Sequence, residues 1–261
     1  MTFRSIRGAA LAFALLTAAV PVHGQSVLLR LAPEEGLVSR YVLEMENYMN
    51  APMVNSDQPM MVGEIYTTQT VVGVEGDVVE YRVVTDSADI SSPAMPMMAQ
   101  NMPDLTGQVQ TMKMDTRGRL VEIPGADTLP AETQQIMSRM NGFGLELPED
   151  EVGPGDTWIA NIETDMPAGT GGEMNMSMDI TYTLVSVSGD MATIEFQGPL
   201  TMSGSQGGMT MDGSGTMSGT MVFDVSRGRL ASTDTQMEFD MGMQGMTMTM
   251  SQTMNMRLIE S

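Results

Sequence analysis

The chain has 261 residues, with 12 lysines and arginines against 33 aspartates and glutamates, one histidine, no cysteine and 32 methionines. The lack of cysteine excludes disulfides and thiolate chemistry, and the net charge of −21 disfavours nucleic acid and anionic lipid surfaces as partners. The length suits one or two domains with a sizeable buried core.

The first 24 residues have the pattern of a secretory signal peptide. Arg4 and Arg7 form a positively charged start, an apolar stretch covers 9–20, and Val22-His23-Gly24 places a small residue before the cut. We expect an exported protein, periplasmic or extracellular, and no later stretch is long and apolar enough for a transmembrane anchor. Cleavage would remove the single histidine, and with it every histidine-based catalytic or metal site. We therefore predict a protein that is not an enzyme and needs no cofactor.

Two stretches of the chain that lie 113 positions apart share one pattern. Residues 68–83 (TQTVVGVEGDVVEYRV) align with 181–196 (TYTLVSVSGDMATIEF), and both contain a Gly-Asp dipeptide, Gly76-Asp77 and Gly189-Asp190. Each copy reads as strand, turn and strand, which is the chemistry of a β-hairpin. Similar blocks at 115–120 and 224–230 follow the two copies, and this order indicates an internal duplication.

The rest of the pattern predicts strands, with one helix between the two copies. Pro130 suits the first turn of a helix over 130–141, and Gly142 suits its end. Elsewhere apolar and polar residues alternate with the period of a strand, which predicts a sheet with one dry and one wet face. We predict a mainly β fold, a curved antiparallel sheet or half-barrel formed by two duplicated β units with one connecting helix.

The expected organisation is a signal peptide over 1–24, a first β unit over 25–127, the connecting helix over 128–146 and a second β unit over 147–261. The two units are expected to form one domain. The last stretch is the most regular, since Met246, Met248, Met250, Met254, Met256 and Leu258 all share one parity. At about 3.3 Å per residue it would extend about 43 Å, so we expect either strong curvature of the sheet or a turn near Gln252.

Methionine occupies the inward positions of this pattern, and three interpretations follow. In the first, methionine replaces valine and leucine as core filler in a structural domain of unknown function. In the second, which we prefer, flexible thioether side chains line a β face that binds an apolar small molecule or lipid-like ligand. The residues predicted for that site are Met174, Met176, Met178, Met246, Met248 and Met250.

In the third interpretation the protein binds Cu(I) or Ag(I), because thioether sulfur selects soft cations. Met-x-Met pairs, such as Met174/Met176 and Met248/Met250, are candidates because they place two sulfurs on one strand face about 6.6 Å apart. A loop cluster formed by Met95, Met97, Met98 and Met102 is another candidate. The acidic residues at 149–151 are interpreted as a solvated loop, since the sequence has no calcium-binding spacing there.

These blocks together resemble a group of uncharacterised exported bacterial proteins, which share a domain of unknown function with an internal duplication. The resemblance rests on the strand openings at Gly36–Tyr41 and Gly155–Trp158, on the two Gly-Asp hairpins, and on Leu147-Pro148, and it covers most of residues 36–235. More loosely, a curved sheet with a helix is similar to the periplasmic lipoprotein-carrier half-barrels, which hold acyl chains on a concave face. The first resemblance implies no known functional residue, and the second implies only an architecture.

Overall fold

The computed structural model describes residues 26–50, 57–96, 104–125, 146–168, 172–206, 209–243 and 246–260. All the named elements of this part are β-strands. They are β1 (Val38–Asn50), β2 (Met61–Glu75), β3 (Val78–Ser91), β4 (Val109–Asp115), β5 (Leu120–Glu122), β6 (Thr157–Ala168), β7 (Gly172–Ser188), β8 (Met191–Gln206), β9 (Met209–Asp224), β10 (Arg229–Met243) and β11 (Met246–Glu260).

The strands form one large, curved antiparallel sheet, which in the described part of the chain is not closed into a barrel. Its order is β5-β4-β3-β2-β1-β11-β10-β9-β8-β7-β6. Strands β1 to β5 are consecutive neighbours, and so are β6 to β11, so each half of the sheet is a meander. The halves are joined by β11, which pairs with β10 on one side and with β1 on the other. This strand therefore lies in the middle of the sheet, while β5 and β6 form its edges.

The two aligned stretches of sequence form equivalent hairpins, β2–β3 and β7–β8. Gly76 and Gly189 lie in their turns with φ angles of 60° and 59°, a region that glycine enters without strain. The strand after each hairpin ends in an aspartate at the same register, Asp115 opposite Val78 and Asp224 opposite Met191. The predicted Gly-Asp hairpins are confirmed.

The hairpins also share an irregularity in their first strands. A register shift follows Val71 in β2 and Leu184 in β7. These two positions are equivalent in the alignment of the two sequence copies. At each of them the carbonyl oxygen accepts a hydrogen bond from a glycine N–H, Gly36 at 2.8 Å and Gly155 at 2.7 Å. A bulge bends a strand and increases its twist, so both halves of the sheet bend at corresponding points.

The alternation along the strands buries one face of the sheet. In β7, Met178, Ile180 and Leu184 are at most 1% exposed, whereas Asp179 and Val185, which point to the other side, are exposed. The main core cluster extends from β7 across β8 and β9 to β10. A smaller cluster in the first half of the sheet contains Val71, Val79 and Tyr81.

Two segments outside the strands, one around Leu29 and one around Leu147, pack on the buried face and form hydrogen bonds with each other. Leu29 and Leu147 are fully buried in the main cluster. Val27 and Val152 exchange backbone hydrogen bonds of 2.9 and 3.0 Å, and the Arg30 guanidinium donates to the Pro148 carbonyl oxygen at 2.6 Å. The acidic residues that follow, 149–151, are exposed, as predicted for a solvated loop.

Glycines on β9 allow aromatic rings to lie over the sheet backbone. A Cβ atom at Gly219 would overlap the Phe196 ring and the Asp234 carbonyl oxygen, and one at Gly213 would overlap the Phe239 ring. Only glycine fits these positions, since any side chain would separate β9 from its neighbours. Glycines of this kind are a common device for bending a sheet.

Some predictions concern residues outside the described part. The signal peptide at 1–24 and the helix at 130–141 fall among those residues and stay predictions. Strand β11 runs through Gln252 without a turn, so curvature and not a turn accommodates its length. Within the described residues, no helix is both long and apolar enough to cross a bilayer.

We expect Gly219→Ala to lower the free energy of unfolding by about 1–3 kcal/mol, because the new methyl group overlaps the Phe196 ring and a neighbouring carbonyl. Urea unfolding measures the loss. The control is Gly242→Ala on β10, where the nearest atom to a new Cβ is the Asp212 carbonyl oxygen at 3.6 Å. Equal losses in both variants would contradict the close-packing argument.

Candidate functional site

The register of the sheet aligns methionines across neighbouring strands on its buried side, which we call the methionine face. Side chains directly opposite each other on adjacent strands point to the same side, with Cβ atoms about 4.5–5.5 Å apart. Rows of methionine therefore cross the strands as well as following them. Directly opposite pairs on this face include Met176–Met202, Met217–Met237, Met241–Met248, Met49–Met250 and Met45–Met254.

The first predicted triplet, Met174, Met176 and Met178, lies on β7 and is largely core. Met178 is 1% exposed and Met176 is 8% exposed, while Met174 is half-buried. All three pack in or against the main core cluster. On β7 the methionine face is therefore mostly packed core and not an accessible surface.

The second triplet, Met246, Met248 and Met250, lies on β11 and is more open. Met248 and Met250 are half-buried and pack against the edge of the main cluster, and Met246 begins the strand opposite Met243. Strands β8, β9 and β10 separate this triplet from β7, a path of about 19 Å along the sheet at about 4.8 Å per strand. The structure therefore places the two triplets on one sheet without bringing them into one cluster.

Burial of the methionine face decreases from β7 towards β1. On β9, Met217 and Met221 are 5% and 4% exposed, whereas the methionines on β1 and those from Met248 onwards on β11 are half-buried. We call these half-buried residues the open methionine surface. Its members are Met45, Met49, Met248, Met250, Met254 and Met256.

Four members of this surface were not predicted as site residues. Met254 and Met256 continue the parity of the predicted methionines on β11. The other two are Met45 and Met49 on β1. Their signal is present in the sequence, because Leu43, Met45 and Met49 share one parity in VLEMENYMN. What the sequence lacks is the pairing of β1 with β11, since these strands are more than 190 residues apart and only the fold makes them neighbours.

The open methionine surface carries amides but no charge. Asn47 on β1 lies directly opposite Gln252 on β11, between the Met49–Met250 and Met45–Met254 pairs. Among the described residues of these two strands, those that face this side include no charged side chain. The ion pair between Arg257 and Glu44, at 2.8 Å, lies on the opposite face.

Two tyrosines on the same side of the sheet have neutral hydroxyls. Burial raises the pKa of Tyr182 to about 12, and its ring stacks on Trp158 with centroids 5.4 Å apart. Burial also raises the pKa of Tyr41, whose hydroxyl donates to the Leu230 carbonyl oxygen at 2.9 Å. Both hydroxyls are therefore uncharged at neutral pH, while charged side chains lie near each of them, Arg229 and Asp224 near Tyr41 and Glu146 near Tyr182.

The predicted loop metal site is described only in part. Met95 follows β3 and is 39% exposed, while Met97, Met98 and Met102 lie outside the described residues. In the part of the chain that the structure describes, no group of three or more histidine or carboxylate side chains is placed to hold a metal.

A groove of about 820 Å³ crosses the opposite, polar face of the sheet. It follows the middle rows of seven adjacent strands, from β2 through β1 and β11 to β7. Its lining is mostly polar and acidic, although Met45 and Phe196 of the methionine face also contribute, so it is unsuited to an apolar guest. The carboxylates in this lining are Glu44, Glu46, Glu64, Glu195 and Asp234.

Limited oxidation with hydrogen peroxide should convert Met250 to the sulfoxide before Met178, because the oxidant must reach the sulfur. Peptide mass spectrometry of timed samples measures both rates, with the exposed Met95 as a fast internal reference. The difference should vanish in urea. Equal rates at Met250 and Met178 in the folded protein would contradict the graded burial of the face.

Comparison with known proteins finds a match to one family model over part of the chain and gives no function. Among curated proteins, none matches this chain significantly. The likeness to the lipoprotein carriers stays a prediction, whereas the resemblance to a domain of unknown function is confirmed for part of the chain. Residues 132–230, which include β6 to β9 and the start of β10, match the family of unknown function DUF6263.

Proposed function

We propose that this is an exported, non-catalytic protein that binds an apolar or lipid-like guest on its open methionine surface. The observation that carries the proposal is the change in burial along one continuous methionine face. Over β7 to β9 most of the face is filled by the protein's own side chains, with Met174 and Met202 half-buried, and over β11 and β1 every methionine whose side chain is described is half-buried. A bound guest would cover the half-buried methionines of β11 and β1, as core side chains cover the buried methionines of β7 to β9.

The chemistry of methionine supports this reading. An unbranched thioether side chain has three rotatable bonds and adapts its shape to its neighbours, so a methionine surface accepts guests of varied shape. Methionine is a weaker strand former than valine or isoleucine, and a purely structural face would be better served by those residues. The repeated use of methionine at half-buried strand positions is thus consistent with binding.

The guest should be neutral or carry a neutral polar group. The surface has no charged side chain, and the net charge of −21 repels anions at long range. The Asn47–Gln252 pair lies within the surface and can exchange hydrogen bonds with a carbonyl or hydroxyl of the guest. We assign no reaction to the surface, because thioethers and amides provide neither a nucleophile activated by a base nor a general acid.

Of the six methionines predicted from the sequence, Met248 and Met250 would touch the guest directly. Met174, Met176 and Met178 lie four strands away on β7, in or against the packed core, and would not contact the guest. Met45, Met49, Met254 and Met256 join the contact surface on structural grounds.

Export is proposed from the first 24 residues of the sequence. We expect the protein recovered from the periplasm or the medium to begin near Gln25. Fractionation followed by N-terminal sequencing measures this. Recovery in the cytosol of a chain that still contains residues 1–24 would contradict export.

An uncharged dansyl-labelled acyl amide tests the binding proposal. We expect saturable binding to the wild-type protein, and weaker binding to the double variant Met45→Ser/Met254→Ser. Each substitution removes about 1 kcal/mol or more of apolar contact, so the pair should weaken binding roughly tenfold or more. Fluorescence titration measures the dissociation constants.

The matched control is Met45→Leu/Met254→Leu, which keeps the volume and apolar character of both side chains. It should bind the probe as the wild type does. The proposal fails if the wild type shows no saturable binding, or if the serine variant, shown by its melting temperature to be folded, binds as tightly as the leucine control.

A further inference from the structure

We propose that four methionines at one end of the open methionine surface form a site for a soft monovalent cation, Cu(I) or Ag(I). They are Met49 on β1, Met248 and Met250 on β11, and Met241 on β10, and we call them the methionine quartet. This inference does not depend on the binding of an apolar guest, because it uses the sulfur atoms and not the apolar area.

The register brings the quartet together. Met241 lies directly opposite Met248, and Met49 lies directly opposite Met250. Met248 and Met250 are two positions apart on β11, so the two pairs occupy neighbouring rows of one face. On adjacent strands, opposite Cβ atoms are about 4.5–5.5 Å apart and diagonal ones about 7–8 Å, distances that flexible methionine side chains can close around one ion. Met241 and Met49 lie two strands apart, so one ion would bind Met248 and Met250 with either of them as the third sulfur ligand.

The surroundings of the quartet favour a soft ion over a hard one. The described residues of β1 and β11 that face this side include no carboxylate, and the nearest acidic group on β10, Asp240, points to the polar face, where its carboxylate accepts a hydrogen bond from Thr249 at 2.7 Å. Calcium and magnesium require oxygen ligands, whereas thioethers select Cu(I). A neutral sulfur site for a monovalent ion also adds only one positive charge to the face.

Access and charge are suitable as well. Met49, Met248 and Met250 are half-buried, so an ion can reach them without unfolding of the sheet, and Met241, 8% exposed, closes the site from the core side. The net charge of −21 attracts cations to the protein at long range. All four residues of the quartet lie outside residues 132–230, the part of the chain that matches the family. The quartet is therefore a feature of this chain and not of the matched region.

Anaerobic titration with Cu(I), in competition with a chromogenic Cu(I) chelator, tests the proposal, and native mass spectrometry with Ag(I) gives the stoichiometry. We expect one strongly bound ion in the wild-type protein. The quadruple variant Met49→Leu/Met241→Leu/Met248→Leu/Met250→Leu should bind at least about tenfold more weakly, a change that corresponds to about 1.4 kcal/mol. Leucine keeps the apolar volume of each side chain, so this variant removes the sulfur atoms and leaves the packing of the surface nearly unchanged.

The matched control replaces four methionines that have no methionine directly opposite them in the described sheet. They are Met112, Met178, Met221 and Met256, each changed to leucine. The control should keep the wild-type affinity for Cu(I). If the quadruple variant has a lowered melting temperature, the pair variant Met241→Leu/Met248→Leu replaces it and should show the same loss.

Three results would overturn the proposal. They are the absence of Cu(I) binding by the folded wild-type protein, unchanged affinity in the folded quartet variant, and an equal loss in the control. If the wild-type protein binds Cu(I) but not the acyl probe, the proposed function is contradicted and the proposed metal site is not. X-ray absorption of the Cu(I)-loaded protein should show a first shell of sulfur only, and a shell of nitrogen or oxygen would also contradict the quartet.

Discussion

The structure depends on one constraint, the two-residue period of the β-strand. Because successive side chains point to opposite sides, a chain that places methionine at every second position gathers those side chains on one face. The constraint acts along each strand and, through the register, across strands. A shift of one residue would move a whole strand's methionines into water. The bulges after Val71 and Leu184 lie at equivalent positions, so the register changes at the same point in both halves of the sheet.

The same face has two different characters. Near β7 to β9 it is a filled core, in which Leu29 and Leu147 arrive from outside the strands and phenylalanine rings cover glycine backbone. Near β11 and β1 it lacks that filling and stays half-buried. The core-filler interpretation therefore describes one half of the methionine face well, and the binding interpretations apply to the other half. One residue type serves both purposes because its side chain packs densely and also adapts.

Sequence periodicity was sufficient for the mainly β fold, for both Gly-Asp hairpins and for the inward direction of the methionines on β7 and β11. It also predicted the solvated loop at 149–151. It did not reveal that Met45 and Met49 belong to the site, because parity gives the side of a strand and not its neighbour. It grouped the β7 and β11 triplets, which the strand order keeps apart. The predicted helix at 130–141 and loop sulfurs Met97, Met98 and Met102 lie outside the described residues.

The sequence by itself determined the direction in which each side chain points, since the alternation of apolar and polar residues is a local property of the chain. It also determined the turns, because Gly76 and Gly189 supply the positive φ angles that those turns require. Only the tertiary structure decided that β11 lies between β10 and β1, and thereby which methionines meet. The physical reason is that strand pairing joins residues that are distant in sequence, and the local pattern is the same whichever strand becomes the partner.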